Sequence, residues 1–157
     1  MPKRRQPPVV AHGAEHLVMG YLMRRNILAF KAPPRNEGYD IICVHPNPPQ
    51  ANRRMIRVQV KSRAWDENDR SVQMTRKDFR GFDYLVAVFM NIKRSGKKKH
   101  RAIAFFPEFY TVSRKWVQNN FRSYGKYGKL FFPKRGMEKY QGLKGFEKIA
   151  QHLRVSY

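Results

Sequence analysis

The sequence predicts an α+β fold, of the mixed α/β kind, in which one central mixed sheet is flanked by helices. Helical patterns open and close the chain, and several apolar strands with mostly short connections lie between them. The run Leu85–Phe89 is apolar at every position, which is typical of a central strand buried on both faces. The 157 residues fit one domain with a substantial core.

The first predicted elements are a basic, Pro-rich arm over residues 1–9 and a helix over residues 10–26. In the helix, Ala14, Val18 and Leu22 recur at the spacing of one helical face. A short strand over 27–30 precedes Pro33-Pro34. We assign residues 10–157 to a single domain, with a core over 10–106 and a basic, aromatic C-terminal extension over 107–157.

The remaining elements follow from apolar runs, caps and turn residues. We expect strands over 39–44, 55–61, 71–74, 83–92 and 102–106. We expect short helices over 76–80, 114–120 and 146–153, the first two capped by Thr75 and Ser113. Residues 93–101 should form a basic loop, and residues 121–145 should be irregular.

The charge of the chain indicates its partner. It has 33 Lys and Arg against 11 Asp and Glu, a net charge of +22, which suits a polyanion because binding releases the counterions of the phosphates. Nucleic acid is the expected partner, and no apolar stretch approaches the roughly 20 residues that span a bilayer. The one cysteine, Cys43, excludes an intrachain disulfide and a multi-cysteine zinc site. We expect a cytoplasmic, nucleoid-associated protein.

A polar cluster is expected where the strands over 39–44 and 55–61 pair. Strand alternation puts Gln59 and Lys61 on one face. The connecting loop centres near Gln50, so antiparallel pairing places Asp40 near Val60, within a residue or two. Asp40, Gln59 and Lys61 would then surround one small volume.

These residue types suit metal-assisted hydrolysis of a phosphodiester. Mg²⁺ (or Mn²⁺) prefers oxygen ligands, which Asp40, the side chain of Gln59 and the backbone carbonyl of Val60 would supply. Lys61 would position the attacking water and stabilise negative charge. Glu15 lies at the margin of the apolar stripe of the first helix, from which it would reach the end of the sheet; alternatively it is a first-turn acid favoured by the helix dipole.

At this point the chain resembles the PD-(D/E)xK nuclease superfamily, over roughly residues 10–106. The resemblance rests on the helix bearing Glu15, on Gly38-Tyr39-Asp40 opening a strand, on Gln59-Val60-Lys61-Ser62 ending the next, and on the apolar strand 83–89 as the third core strand. Two branches are most similar. Intron-encoded homing endonucleases of this fold carry Gln in the third motif position, and archaeal Holliday-junction resolvases share the early Glu and the Lys-Ser pair.

The resemblance implies a restriction-endonuclease-like core, with Glu15, Asp40, Gln59 and Lys61 as the catalytic set. It also implies a Mg²⁺ site that includes Glu15 among its ligands. Gln59 departs from the Asp or Glu of most members, and this removes one negative charge from the metal site. Neutral amide oxygens bind divalent ions less tightly than carboxylates do, so Glu15 would compensate or the site would hold one ion weakly.

Basic residues form three blocks, over 3–5, 93–101 and 122–148. With this net charge we favour phosphate contacts over solubility alone. The candidate DNA-contacting residues are Arg94, Lys97, Lys98, Lys99, Arg122 and Lys126.

Three functions remain open. The favoured one is a Mg²⁺-dependent, homing-type DNA endonuclease acting as a homodimer or higher oligomer, because one small domain needs a second site to cut both strands. The second is a Holliday-junction resolvase, and the third is a noncatalytic nucleic-acid-binding protein. His12, Glu15 and His16 match the pattern H-x-x-E-H, in which the two histidines would bind zinc. A zinc site is disfavoured because no third ligand can be named.

Overall fold

A computed structural model describes residues 8–51, 54–65, 68–95 and 101–156. Its helices are α1 Pro8–Arg24, α2 Pro48–Ala51, α3 Arg114–Asn120 and α4 Gly142–Leu153, with 3-10 turns at Arg76–Arg80 and Glu138–Tyr140. Its strands are β1 Leu28–Lys31, β2 Ile41–Val44, β3 Met55–Trp65, β4 Ser71–Met74, β5 Tyr84–Ser95, β6 Arg101–Ala104, β7 Glu108–Ser113, β8 Arg122–Tyr124 and β9 Tyr127–Phe131.

The larger sheet has six strands, ordered β1-β2-β3-β5-β6, and β7 pairs with the first half of β5 beside β6. β3 and β5 are parallel, and the other neighbours are antiparallel. This arrangement confirms the predicted α+β fold with a central mixed sheet. The sheet extends past the core boundary expected at residue 106, because β7 is one of its strands.

Two separate clusters of buried side chains cover the two faces of this sheet. α1 and α4 pack on one face, where Val18 and Ile149 meet Val86. The smaller sheet, ordered β4-β9-β8, packs on the other face, where Leu130 meets Leu85. Successive residues of β5 therefore point into opposite clusters, which confirms that the apolar run is a strand buried on both sides.

The prediction of irregular structure over residues 121–145 was wrong. β8 and β9 form a hairpin there, and β9 pairs with β4. Lys129 and Gly128 interrupt the apolar pattern, and the ring of Phe121 occupies the space that a Cβ at Gly128 would fill. β7 was not predicted either, because Pro107 indicates the end of the strand expected over 102–106.

Other boundaries shift by a few residues. Helix α4 begins at Gly142 instead of 146, while β3 and β5 run on to Trp65 and Ser95. Ser113 caps α3 as expected, accepting a hydrogen bond from the amide of Trp116 at 3.2 Å. Within the described residues, no helix has the length and apolar character needed to cross a membrane.

Candidate active site

Asp40 stands at the start of β2, where the chain enters the sheet between β1 and β3. Its amide donates to the carbonyl of Val58 at 2.8 Å, and its carbonyl accepts from the amide of Ala32 at 2.8 Å. The backbone of Asp40 is therefore tied to the strands on both sides, which fixes the direction of its side chain.

The carboxylate of Asp40 meets Gln59 and Val60 of β3. Its Oδ2 accepts from Gln59 Nε2 at 2.6 Å and from the amide of Val60 at 2.7 Å. Gln59 Nε2 also lies 3.4 Å from the carbonyl oxygen of Val60. The structure thus brings together Asp40, Gln59 and Val60, three of the residues predicted from the sequence, and Gln59 is only 7% exposed.

The environment of Asp40 raises its pKa above the ordinary value. Burial is the main cause, and the negative charge of Asp78 adds to it. The hydrogen bond from Val60 and the positive charges of Lys61 and Lys31 act in the opposite direction without cancelling the effect. A carboxylate in this state gains from a cation placed beside it, because the cation replaces the solvation that burial has removed.

Lys61 lies two residues beyond Gln59 on β3, and its ammonium is partly exposed. Its Nζ lies 3.9 Å from Oδ2 of Asp78, an acid on the 3-10 turn that the sequence did not indicate as part of the site. The same oxygen accepts the amide of Thr75 at 2.9 Å, which anchors the carboxylate at the start of the turn. Asp78 therefore holds Lys61 beside Asp40 and adds a charge that the motif comparison did not foresee.

Two glycines allow this turn to lie close to the start of β2. Gly38 has a positive φ of 89°, a conformation that only glycine adopts easily. A Cβ on Gly38 would lie 2.7 Å from the Cα of Gly81, and one on Gly81 would lie 2.5 Å from the Cα of Gly38. The close contact of these two backbones places the segments bearing Asp40 and Asp78 side by side.

Glu15, the fourth predicted catalytic residue, reaches the site through Lys31. It forms an ion pair with Lys31 on β1, and its side chain is 15% exposed. Lys31 in turn acts electrostatically on Asp40. The structure therefore connects Glu15 to Asp40 through a lysine, a residue that sequence analysis did not single out.

The donor atoms of this site are mixed. Among the described residues, no three His, Cys, Asp or Glu side chains are grouped closely enough to hold a metal. The oxygens at the centre belong to the carboxylate of Asp40 and the backbone carbonyl of Val60, and the amide of Gln59 faces them with its NH₂ group. Oxygen ligands of this kind suit Mg²⁺ or Mn²⁺ better than zinc.

There is a structural reason why sequence analysis did not place Asp78 and Lys31 at the site. The pattern Thr75-x-x-Asp78 indicates a helix start. Helix capping alone therefore accounts for an acid at position 78, and the pattern does not indicate a functional site. The packing of Gly38 on Gly81 brings the turn close to the start of β2, and local sequence patterns do not indicate this contact. Lys31 likewise lies on an edge strand whose pairing with β2 decides which charges it meets.

The predicted DNA-contacting residues are spread over two hairpins. Arg122 is exposed on β8, with its guanidinium 5.0 Å from the centre of the Phe131 ring, and Lys126 is exposed in the turn that follows. Arg94 lies on β5, although its side chain is outside the described part of the molecule. Lys97, Lys98 and Lys99 also lie outside the described residues, so their contacts remain predictions.

The mixed sheet and its flanking helices form a restriction-endonuclease-like fold. A structure comparison supports this fold. The bacterial homing endonuclease I-Ssp6803I superposes with a TM-score of 0.54 at 17% identity, over 95% of this chain and 94% of that one.

The Holliday-junction resolvase Hjc from the archaeal hyperthermophile Archaeoglobus fulgidus also matches, with a TM-score of 0.49 at 9% identity, over 94% of this chain and 98% of that one. No family model matches the sequence, and no curated protein matches it significantly. The likeness to I-Ssp6803I, at 17% identity, shows the fold alone, because one fold can carry many functions.

Proposed function

We propose that this protein is a metal-dependent DNA endonuclease of the homing type, which hydrolyses phosphodiester bonds of duplex DNA. The observation that carries the proposal is the contact of the partly buried Asp40 carboxylate with Gln59 and Val60, with Lys61 next along β3. The net charge of +22 supports a nucleic-acid substrate. By the same reasoning it acts in the cytoplasm, at the nucleoid.

The residues at Asp40 fit a hard divalent cation such as Mg²⁺ or Mn²⁺. The NH₂ group of Gln59 lies 2.6 Å from Asp40 Oδ2 and 3.4 Å from the carbonyl oxygen of Val60. Asp40 Oδ2 and the carbonyl oxygen of Val60, which share this donor, would be two of the oxygens that hold the cation. Half a turn of the Gln59 amide would offer its own oxygen as a third. Once bound, the cation would supply charge neutralisation and an activated water.

Lys61 would stabilise the negative charge that develops on the phosphate. An ammonium in a partly desolvated site does this more strongly than one in water. Its neighbour Asp78, 3.9 Å away, would keep it in place. Glu15 would contribute a further carboxylate, and in the structure its charge is balanced by Lys31.

The decisive experiment compares cleavage with binding. Asp40→Asn keeps an oxygen that accepts hydrogen bonds from Gln59 and Val60 but removes the negative charge. We therefore expect cleavage in Mg²⁺ to be lost. Duplex affinity should stay within about twofold, because it comes from the distributed cations. Lys61→Ala should behave in the same way. The matched control is Asp69→Asn, which alters an acid paired with Lys129 on the smaller sheet and should leave cleavage intact.

Cleavage by Asp40→Asn at the wild-type rate would refute the assignment of this site. Intact duplexes and four-way junctions should be tested in parallel, because cutting of any junction irrespective of sequence would identify a resolvase. Tight binding without cutting, in Mg²⁺ or Mn²⁺, would identify a noncatalytic nucleic-acid-binding protein. Since one site cuts one strand, we further propose a homodimer or higher oligomer, whose mass light scattering would measure.

A further inference from the structure

A cluster of exposed apolar side chains lies at the end of β6. Ile103 is 50% exposed, Phe105 52% and Phe106 93%. Single exposed apolar residues are common on proteins, but two adjacent aromatic residues beside a third apolar side chain form a contiguous patch. Such patches mark binding sites more often than chance exposure.

The backbone that carries the two phenylalanines is held firmly by Asn91. Its Nδ2 donates to the carbonyl oxygen of Phe106 at 2.9 Å, and its own carbonyl accepts the amide of Phe105 at 3.1 Å. Asn91 has a positive φ of 51°, which asparagine tolerates better than most residues. It lies in β5 between the segment paired with β7 and the segment paired with β6.

A charged network fixes Asn91 in turn. Its Nδ2 also donates to Oε2 of Glu108 at 3.1 Å, and that carboxylate pairs with Arg70 at 3.0 Å. Burial raises the pKa of Glu108, but the hydrogen bonds from Asn91 and Arg70 outweigh it and keep the pKa below its usual value. The exposed rings therefore rest on an ordered and charge-balanced base.

Charge favours DNA over a protein as the partner of this patch. The ammonium of Lys93 lies 5.2 Å from the centre of the Phe105 ring, and Lys93 is the cross-strand partner of Ile103. Lysine is depleted from the cores of protein interfaces, whereas nucleic-acid surfaces combine cations with aromatic rings. A second copy of the chain would also bring another charge of +22 to the same surface.

The patch is placed to touch the same duplex as the active site. Lys61 pairs with Ala87 on β5, and Lys93 lies further along that strand, a distance of about 20 Å at roughly 3.3 Å per residue. This is shorter than the roughly 34 Å of one turn of DNA. A duplex that contacts Lys61 and runs along β5 would reach the phenylalanines.

We propose that Phe105 and Phe106 form an apolar wedge that enters between bases of the bound DNA and unstacks them, while Lys93 contacts the adjacent backbone. Apolar side chains flanked by cations kink DNA in this way in other proteins. The wedge rests on the proposed function, since it requires DNA as the partner. It adds a means of selecting DNA that is easily deformed at this point.

The test uses two duplexes of the same sequence, one fully paired and one with a central mismatch flanked by the fluorescent base 2-aminopurine. Unstacking costs less at a mismatch, so the wild-type protein should prefer the mismatched duplex and increase its fluorescence. Phe106→Ala should lower affinity for that duplex by about 5- to 150-fold, the range for one stacked base, and should abolish the fluorescence change. Phe30→Ala is the matched control, because Phe30 is 49% exposed at the opposite edge of the sheet.

The wedge would be overturned if Phe106→Ala left the mismatch preference and the fluorescence unchanged. It would also be overturned if Phe106→Ala and Phe30→Ala caused equal losses of affinity. A fall in mass from oligomer to monomer in Phe106→Ala, measured without DNA, would identify the patch as a protein interface. If wild-type protein cuts DNA and only the wedge readouts fail, the proposed function stands; if it binds no DNA, both fail.

Discussion

At the scale of single residues, Gln59 is the neutral side chain that contacts the carboxylate of Asp40. A glutamine at this position can donate a hydrogen bond to Asp40 when no cation is bound. A glutamate there would instead face Asp40 with a second negative charge, and like charges in contact disfavour ionisation of both. The neutral side chain therefore stabilises the protein without a cation, and in the proposed site it would bind Mg²⁺ more weakly than a carboxylate would.

Gln59→Glu should accordingly have opposite effects on two measurements. We expect the metal-free variant to be less stable by about 1–3 kcal/mol, the cost of leaving a buried polar group unsatisfied, and Mg²⁺ to restore its stability because a carboxylate binds the ion more tightly. Thermal unfolding with and without Mg²⁺, together with calorimetric titration, measures both effects. Gln59→Ala should bind Mg²⁺ more weakly than wild type. Equal Mg²⁺ affinity in all three proteins would place Gln59 away from the metal.

The sequence anticipated this part of the site because it depends only on strand alternation and one hairpin. Asp40 was expected near Val60, and the register Ile41 opposite Val58 places it within one residue of that position. Asp78 and Lys31 were missed because their positions depend on how separate elements pack. Strand periodicity predicts which residues of one strand face its partner. It does not predict that the 3-10 turn carrying Asp78, which is distant in sequence, packs beside these strands.

At the scale of elements, the contact of Gly38 with Gly81 controls the distance between β2 and the 3-10 turn. Gly38→Ala should destabilise the protein by about 1–3 kcal/mol, as overpacking against a backbone does, and should reduce cleavage by separating Asp40 from Asp78. Gly20→Ala is the matched control, because a Cβ at Gly20 on α1 has no atom within 4 Å. That change should be neutral or stabilising by up to about 1 kcal/mol. Unchanged stability and cleavage in Gly38→Ala would contradict the role given to this contact.

A hydrogen-bonded ion pair between Arg57 and Asp83 connects β3 to the residue before β5. Oδ2 of Asp83 accepts the amide of Arg57 at 2.9 Å, and its Oδ1 lies 3.1 Å from the Arg57 guanidinium. Burial raises the pKa of Asp83, but the hydrogen bonds and the charge of Arg57 prevail, so the pKa lies below its usual value. The ionised form therefore stabilises the fold above the unfolded-state pKa of about 3.9, and this stability is lost as the pH falls through the lower folded-state value.

Asp83→Asn should remove that contribution. We expect its free energy of unfolding near neutral pH to fall by about 1.5–3 kcal/mol, the range for a hydrogen bond to a charged group. Below about pH 4 the difference from wild type should shrink, because both proteins then lack the charge. Urea unfolding across this pH range measures the effect. A difference that stays constant as the pH falls would show that the carboxylate charge of Asp83 does not stabilise the fold.

At the scale of the whole molecule, local patterns were enough to predict the layers but not the second sheet. β2 and β3 are joined by one hairpin loop, and each shows a clear apolar pattern. β4 and β9 pair across a long stretch of chain, and their pairing is stabilised by burial of Val72, Leu130 and Phe132 against the central sheet. The charge distribution is a property of the same scale, because it depends on which cations remain unpaired on the finished surface.

The salt dependence of DNA binding measures that distribution. The logarithm of duplex affinity should fall with the logarithm of salt concentration by about 0.9 for each phosphate contacted. Replacing Arg122 and Lys126 together by Ala should make this slope shallower if the β8–β9 hairpin touches the backbone, and replacing Lys97, Lys98 and Lys99 tests the other hairpin in the same way. Lys129→Ala is the control on β9, because its ammonium already pairs with Asp69 at 2.9 Å and should contribute little to the slope. Identical slopes in all four proteins would mean that these hairpin cations are solvated in the complex and that DNA binds elsewhere on the surface.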